Sequence, residues 1–355
     1  MSLRDRLAAQ IAAGGPLTIA QYMTACLHDP QDGYYATRPA IGAGGDFITA
    51  PSVSQMFGEL IGLWMVAAWQ AMGRPAPFRL VEIGPGDGTL MSDLLRAVRL
   101  APDFLAAADL WLVEVSDPLR EAQAMRLSGA APRWAARLAD VPQGAPMLLV
   151  ANEVLDCLPT RQFVRTEQGW AERLVAVDAE GRLVFAHSKS VPLPDPSLHS
   201  ASAVVELSAA QEALGLELGE RLAADGGAAL LIDYGAAPGE PGGDTFQALQ
   251  GHRKVDPLAC PGQADLTVHA QFEVVARAAR QAGGGVAALL TQAAFLQRMG
   301  IEARASSLAA ARPDQAATLE RQFHRLTARE EMGELFKVLC LHGPGPCPAP
   351  FEDVP

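Results

Sequence analysis

The sequence predicts an α/β protein. Its core is a mostly parallel, Rossmann-like sheet with helices on both faces, with an N-terminal helical segment and an antiparallel β insertion added to it. Three observations predict this. First, an apolar strand pattern, Phe78–Ile83, runs into glycines at 84, 86 and 88 and then into an amphipathic helix. Second, strand and helix patterns alternate from there to Ala151, as right-handed parallel crossovers require. Third, short strand patterns divided by turns at 167–169 and 179–181 break that rhythm between Asn152 and His187, which reads as an antiparallel insertion.

The elements follow in order. Residues 1–11 and 16–27 read as short helices, the second with Thr18 as N-cap and Ile19, Met23 and Leu27 on one face. A glycine-rich loop, Ile41–Pro51, leads into a long apolar helix over Ser54–Trp69. That loop is either a simple connector or, through Asp46, Thr49 and Ser52, a flap over a ligand. Strands are expected at 78–83, 110–115, 133–138 and 147–151, with helices over 90–99 and 118–127 between them. After the insertion, a helix over 208–224 capped by Ser208 precedes a buried strand, Ala228–Gly235. Strand ends at 245–250 and 266–271, a helix over 272–281, a strand over 285–291 and a helix over 292–299 come next. A helix over 311–329, a strand over 335–341 and a loose proline-rich tail complete the chain. The expected organisation is an N-terminal segment with a lid loop (1–75), a main domain (76–345) with insertions at about 160–205 and 236–270, and the tail (346–355).

Composition narrows the function. The net charge is −12, and no basic stripe with interleaved aromatics appears, so no nucleic-acid partner is expected. Five scattered cysteines without a Cys-x-x-Cys pair speak against a disulfide scaffold or a zinc site, and no metal is expected. No run of about 18 apolar residues occurs, so no membrane insertion is expected. The absence of a signal or transit pattern, with Ala-, Pro- and Arg-rich usage, favours the cytoplasm of a bacterium. The oligomeric state is left open, a homodimer included.

Glycine turns between a strand and a helix serve several ligands. A dinucleotide turn wants a third glycine where Thr89 stands, and a phosphate-binding loop wants Gly-Lys-Ser/Thr, which is absent. The pattern Glu82-x-Gly84-x-Gly86-x-Gly88 instead looks like the first motif of class I S-adenosylmethionine methyltransferases, with bare backbone under the methionine part and Glu82 toward its ammonium. Glu114, ending the next strand, is placed to accept ribose hydroxyls, and Asp140 to contact adenine. The plain alternative makes these strand-end and loop acids that simply face water.

Further stretches point the same way: GDFITAP at 45–51 with QMFGE at 55–59, VEIGPGDGTL at 81–90, ANEVLDCLP at 151–159, LIDYG at 231–235, and GDTFQ at 243–247 with GHR at 251–253 and DLTVH at 265–269. Together they resemble the MidA-like family of S-adenosylmethionine-dependent methyltransferases over residues 15–340. That family includes a mitochondrial assembly factor of respiratory complex I that methylates an arginine of a complex I subunit. The resemblance implies methyl transfer to an arginine side chain of a protein, with S-adenosylmethionine as cofactor and a mitochondrial location in eukaryotic relatives. One position departs from the pattern: Gln271 stands where the family has an aspartate after the His269 motif, and a structural role is expected for it.

Guanidinium is always protonated and offers no spare lone pair, so carboxylates must grip and orient it. Glu153 and Asp156, at the carboxyl edge of the sheet, are the expected grip, and Asn152 the orienting residue. The alternative has Asp156 capping a turn and Glu153 binding backbone. Asp233 and Tyr234 are expected to wall the same cleft, with His252, Arg253, Asp265 and His269 as further candidates. Asp46 and Thr49 are expected to close over the cofactor. Two other functions stay open: an assembly protein that binds the cofactor without catalysis, and an NAD-linked enzyme.

Overall fold

A computed structural model describes residues 1–37, 49–193, 202–237 and 243–352. Its centre is a sheet in the spatial order Arg133–Ala135, Ala108–Val113, Phe78–Ile83, Met147–Asn152, Gly227–Tyr234, Phe336–His342 and Gly285–Val286. The first five are parallel to one another, and Phe336–His342 runs antiparallel to its neighbours. The chain starts in the middle at Phe78–Ile83, builds outward twice, and returns to the other side at Met147–Asn152. The carboxyl ends of those two strands therefore flank the switch point, where a crevice opens in such sheets.

Alternate residues of each strand feed two cores. Leu80, Leu148, Val150, Leu230 and Ile232 pack on one face with Phe57, Leu60 and Trp64 of helix Gln55–Ala71. Val81, Leu149, Ala151, Ala229 and Leu231 pack on the other with Leu218 and Leu222 of helix Ala209–Asp225 and Val275 of helix Phe272–Gln281. Burial on both faces explains why these strands read as continuous apolar runs rather than alternating ones. Helix Gln55–Ala71 lies tight against helix Thr89–Ala97. A Cβ at Gly58 would stand 2.7 Å from Cβ of Asp93, which accounts for the glycine in QMFGE.

The insertion is antiparallel as expected. Its strands Arg161–Thr166, Gly169–Val177, Leu183–Val191 and Val204–Leu207 pair around the turns read from the sequence. It also recruits the N-terminus, whose short strand Leu17–Thr18 pairs with Val175 and Leu174. Thr18 caps helix Ile19–His28 in a capping box with Gln21, as expected. A third core joins these N-terminal helices to Val175, Leu183 and Leu266.

Several boundaries differ from expectation. The third strand stops at Ala135 and gives way to a short 3₁₀ turn, Leu138–Asp140. The expected strand over 285–291 is two short pieces, because Ala288 turns away to donate its N–H to the Glu352 carbonyl. The helix expected over 311–329 is shorter, Ala316–Thr327, because Pro313 opens a 3₁₀ turn before it, and a further helix that was not expected, Ile301–Ala311, precedes it. The tail is docked at Phe351, buried against Phe295 and Trp64, where a loose segment was expected.

Candidate active site

The turn after Phe78–Ile83 is shaped by backbone. Gly84, Gly86 and Gly88 have φ of 64°, 53° and 82°, in the left-handed region that glycine tolerates. The Gly84 N–H donates to the Val113 carbonyl at 3.1 Å, and the Gly88 N–H to that of Pro85 at 2.8 Å. A side chain at Gly84 would meet Cγ2 of Val154, from the facing turn, at 2.8 Å. Glu82 lies in the floor, 2% exposed, and its Oε2 has no hydrogen-bond partner among the described residues. Burial, then the charges of Asp87 and Glu114, push its pKa from 4.5 to about 8.

Beside this turn, Glu114 is buried. Its Oε1 accepts the N–H groups of Val115 and Ser116, both at 2.8 Å. Burial raises its pKa and these bonds oppose the rise. Gln123, fully buried on helix Asp117–Arg126, ties the region together. It donates to the Gly86 carbonyl at 2.7 Å and to Oε2 of Glu114 at 3.3 Å, and accepts from the Trp134 indole at 2.8 Å. Sequence reading missed Gln123, because its partners meet it only after folding. Asp140 sits apart on the 3₁₀ turn, paired with Arg137 at 2.9 Å.

The facing turn follows Met147–Asn152. Glu153 has φ of 54°, unusual for a residue with a side chain, and its N–H donates to the Ile232 carbonyl at 2.8 Å. Its Oε1 accepts from the Asn152 amide at 2.9 Å and from the Ala50 N–H at 3.3 Å. Desolvation, then the charge of Asp156, push its pKa to about 8. Asp156 is 6% exposed, and burial pushes its pKa to about 7 while the Tyr234 hydroxyl acts the other way. Oδ1 of Asn152 has no hydrogen-bond partner among the described residues.

A cleft with about 740 Å³ of space, part of it open to solvent, runs between the two turns. Glu82, Gly84, Gly86, Asn152, Glu153 and Asp156 line it, as does Thr49. Glu114, Gly88 and Asp140 lie outside the lining, and Asp46 lies outside the described residues. Tyr35 and Asp265 also line it, and the Tyr35 hydroxyl donates to Asp265 at 2.8 Å. Tyr35 carried no sequence signal, since it comes from the N-terminal segment. Of the other candidates, His252 and Arg253 are exposed, and His269 stacks edge-on against Tyr234 at 5.6 Å outside the lining. Gln271 works structurally. Its side chain donates to the Glu206 carbonyl and accepts from the Ser208 N–H.

The lining carries five carboxylates, of Glu82, Asp87, Glu153, Asp156 and Asp265, and no Lys, Arg or His among the described residues. Bare glycine backbone, an unpartnered buried carboxylate oxygen and an unpartnered amide oxygen suit a ligand that carries positive charge and hydrogen-bond donors. S-adenosylmethionine, with its ammonium and sulfonium, fits that cradle.

The fold and this cleft define a class I S-adenosylmethionine-dependent methyltransferase. Residues 60–290 match the family model described as "Putative S-adenosyl-L-methionine-dependent methyltransferase", and the chain belongs to this family. It is 37% identical to the protein arginine methyltransferase NDUFAF7 of Danio rerio, over 95% of this chain and 86% of that protein. To the human protein of that name it is 36% identical, over 94% and 81%. A protein of Burkholderia thailandensis, solved with S-adenosyl-homocysteine bound, superposes with a TM-score of 0.82 at 29% identity, covering 96% of this chain and 91% of that one. These similarities set aside the NAD-linked alternative. Among the described residues, no helix is long and apolar enough to cross a membrane.

Proposed function

We propose that this methyltransferase modifies an arginine side chain of a protein. The observation that carries the proposal is that every charged side chain among the described lining residues is acidic, with Glu153 and Asp156 on the turn that faces the glycines. The names of the relatives, protein arginine methyltransferase, support it.

When bound, S-adenosylmethionine supplies an electrophilic methyl group. In this reading, Glu82 takes the ammonium with its unpartnered oxygen, and the Gly84–Gly86 backbone lies under the methionine part. Glu114 offers its second oxygen to the ribose, and Thr49 closes the near side. Asp140 serves the adenine end but is already paired with Arg137, so its contribution is small. Glu153 and Asp156 grip the guanidinium, and Asn152 holds Glu153 in its orientation.

Methylating a guanidinium nitrogen releases one proton. Glu153 and Asp156, with pKa values raised toward neutrality, are suited to take it. Holding the nitrogen in line with the methyl group does most of the remaining work.

The acceptor we propose is an arginine of a respiratory complex I subunit, methylated in the bacterial cytoplasm during assembly. Mass spectrometry of complex I subunits from cells with and without the gene tests this. The expected result is a methylarginine lost with the gene. Identical methylarginine patterns in both cells contradict the proposal. Cofactor binding without transfer to any protein would favour the non-catalytic assembly role.

A further inference from the structure

We infer that Asp233 and Gln211 are positioning residues for the methyl acceptor: two buried side chains that hold the Leu155–Asp156 backbone so that Glu153 and Asp156 line the cleft. The inference rests on reading that turn as the acceptor side. Neither residue lines the cleft, and both are fully buried.

Asp233 is the penultimate residue of strand Gly227–Tyr234. Its Oδ2 accepts the N–H groups of Leu155 at 2.8 Å and Asp156 at 3.1 Å, and its Oδ1 accepts that of Tyr234 at 2.8 Å. Gln211, on helix Ala209–Asp225, holds the same peptide by its other end. Its Nε2 donates to the Leu155 carbonyl at 2.8 Å, while its Oε1 accepts the Gln271 N–H at 2.7 Å. The Val268 N–H donates to the Asp156 carbonyl at 2.9 Å. Irregular backbone under a cleft has no ladder to satisfy it, so these side chains supply the partners.

Asp233 is an unfavourable choice on electrostatic grounds. Glu153, Asp156 and Cys157 face it from the turn, and Asp265 and Tyr35 in turn interact with Cys157. Tyr234 is its chain neighbour, and Lys337 stands opposite on the adjoining strand. Like charges at such a spot oppose one another's ionisation. An amide could not replace the carboxylate, since three donors point at its two oxygens. Turned either way, an Asn would set its NH₂ against an N–H. Burial, then the charges of Asp156 and Glu153, hold the pKa of Asp233 well above the usual carboxylate range, so its part is to fix the turn through these hydrogen bonds. Gln211 fixes the same turn from the Leu155 carbonyl.

Calorimetric titration of the S-adenosyl-homocysteine-bound protein with Nα-acetyl-arginine amide, between about pH 6 and 9, tests this role. The intact protein should bind the probe more tightly as pH rises through the ionisation of Asp156 and Glu153. Gln211→Leu should weaken probe binding about tenfold at every pH, as expected for one lost buried hydrogen bond, with the midpoint unmoved. Asp233→Asn should weaken it similarly, since at least one turn N–H is left facing an NH₂ instead of an acceptor. Both variants should keep S-adenosyl-homocysteine affinity within about threefold. If Asp233→Asn does not fold, Gln211→Leu carries the test alone. Undiminished probe binding in a folded variant overturns the inference. Parallel loss of probe and S-adenosyl-homocysteine binding in both variants also overturns it, since the two residues would then merely hold the fold. No probe binding by the intact protein overturns the arginine reading itself, and this inference with it.

Discussion

Two turns at the same sheet edge build the cleft, and they are built differently. The glycine turn, 84–88, is held largely by its own backbone, with φ values that need glycine, and by one buried amide, Gln123. The facing turn, 152–156, has no glycine. It keeps a strained Glu153 in place through side chains from Ala209–Asp225 and Gly227–Tyr234 and through the Ala50 N–H. A ligand site made of backbone is written locally in the sequence. One made of side-chain contacts is distributed over the fold, and its residues look ordinary until they meet.

The comparison can be broken from either side, and the largest effect should come from the backbone turn. Gly84→Val adds a branched side chain at a positive φ and directly against Val154. Affinity for S-adenosyl-homocysteine should fall at least about a hundredfold by calorimetry. Unchanged affinity would remove the glycine turn from the cofactor site.

Next in size is Glu153→Gln on the acceptor side. Arginine methylation should fall roughly 10- to 100-fold, as losing one charged hydrogen bond of about 1.5–3 kcal/mol implies. S-adenosyl-homocysteine affinity should stay within about twofold. If both quantities fall together, the two turns are not separate in function.

Glu82→Gln tests the floor they share. Cofactor affinity should drop about tenfold or more, because a neutral amide cannot pair with the ammonium. The sign for stability is opposite. Folded Glu82 keeps its proton to about pH 8, whereas the unfolded chain loses it near 4.5. The cofactor-free protein therefore loses stability as pH rises between those values. The Gln variant should show a shallower decline in melting temperature over that range. A steeper decline would contradict the burial argument.

The smallest effect belongs to Asp140→Ala. Asp140 is paired with Arg137 outside the lining, so cofactor affinity should change less than about twofold. A tenfold loss would show that the adenine end reaches further than the cleft described above.

The same contrast explains what was legible. Strand Phe78–Ile83, its three glycines and helix Phe272–Gln281 could be read from spacing alone, since local periodicity and backbone chemistry dictate them. Thr18 and Ser208 were recognisable as caps for the same reason. Strand ends such as Ala135 were not legible, because pairing decides where a strand stops. Asn152, Glu153 and Asp156 were found through the family resemblance rather than through periodicity. Gln123, Tyr35 and Gln211 escaped notice because buried amides and a tyrosine gain meaning only from partners 9 to 230 residues away.

The central claim is that the glycine turn holds a methyl donor while Glu153 and Asp156 present an arginine to it. The most direct test supplies labelled S-adenosylmethionine and the purified protein to extract from cells lacking the gene, followed by amino-acid analysis of the labelled product. The account predicts label in methylarginine of a protein, and about tenfold less or lower still with Glu153→Gln at equal cofactor affinity. Label in another residue or in a small molecule, or equal labelling by the variant, would contradict it.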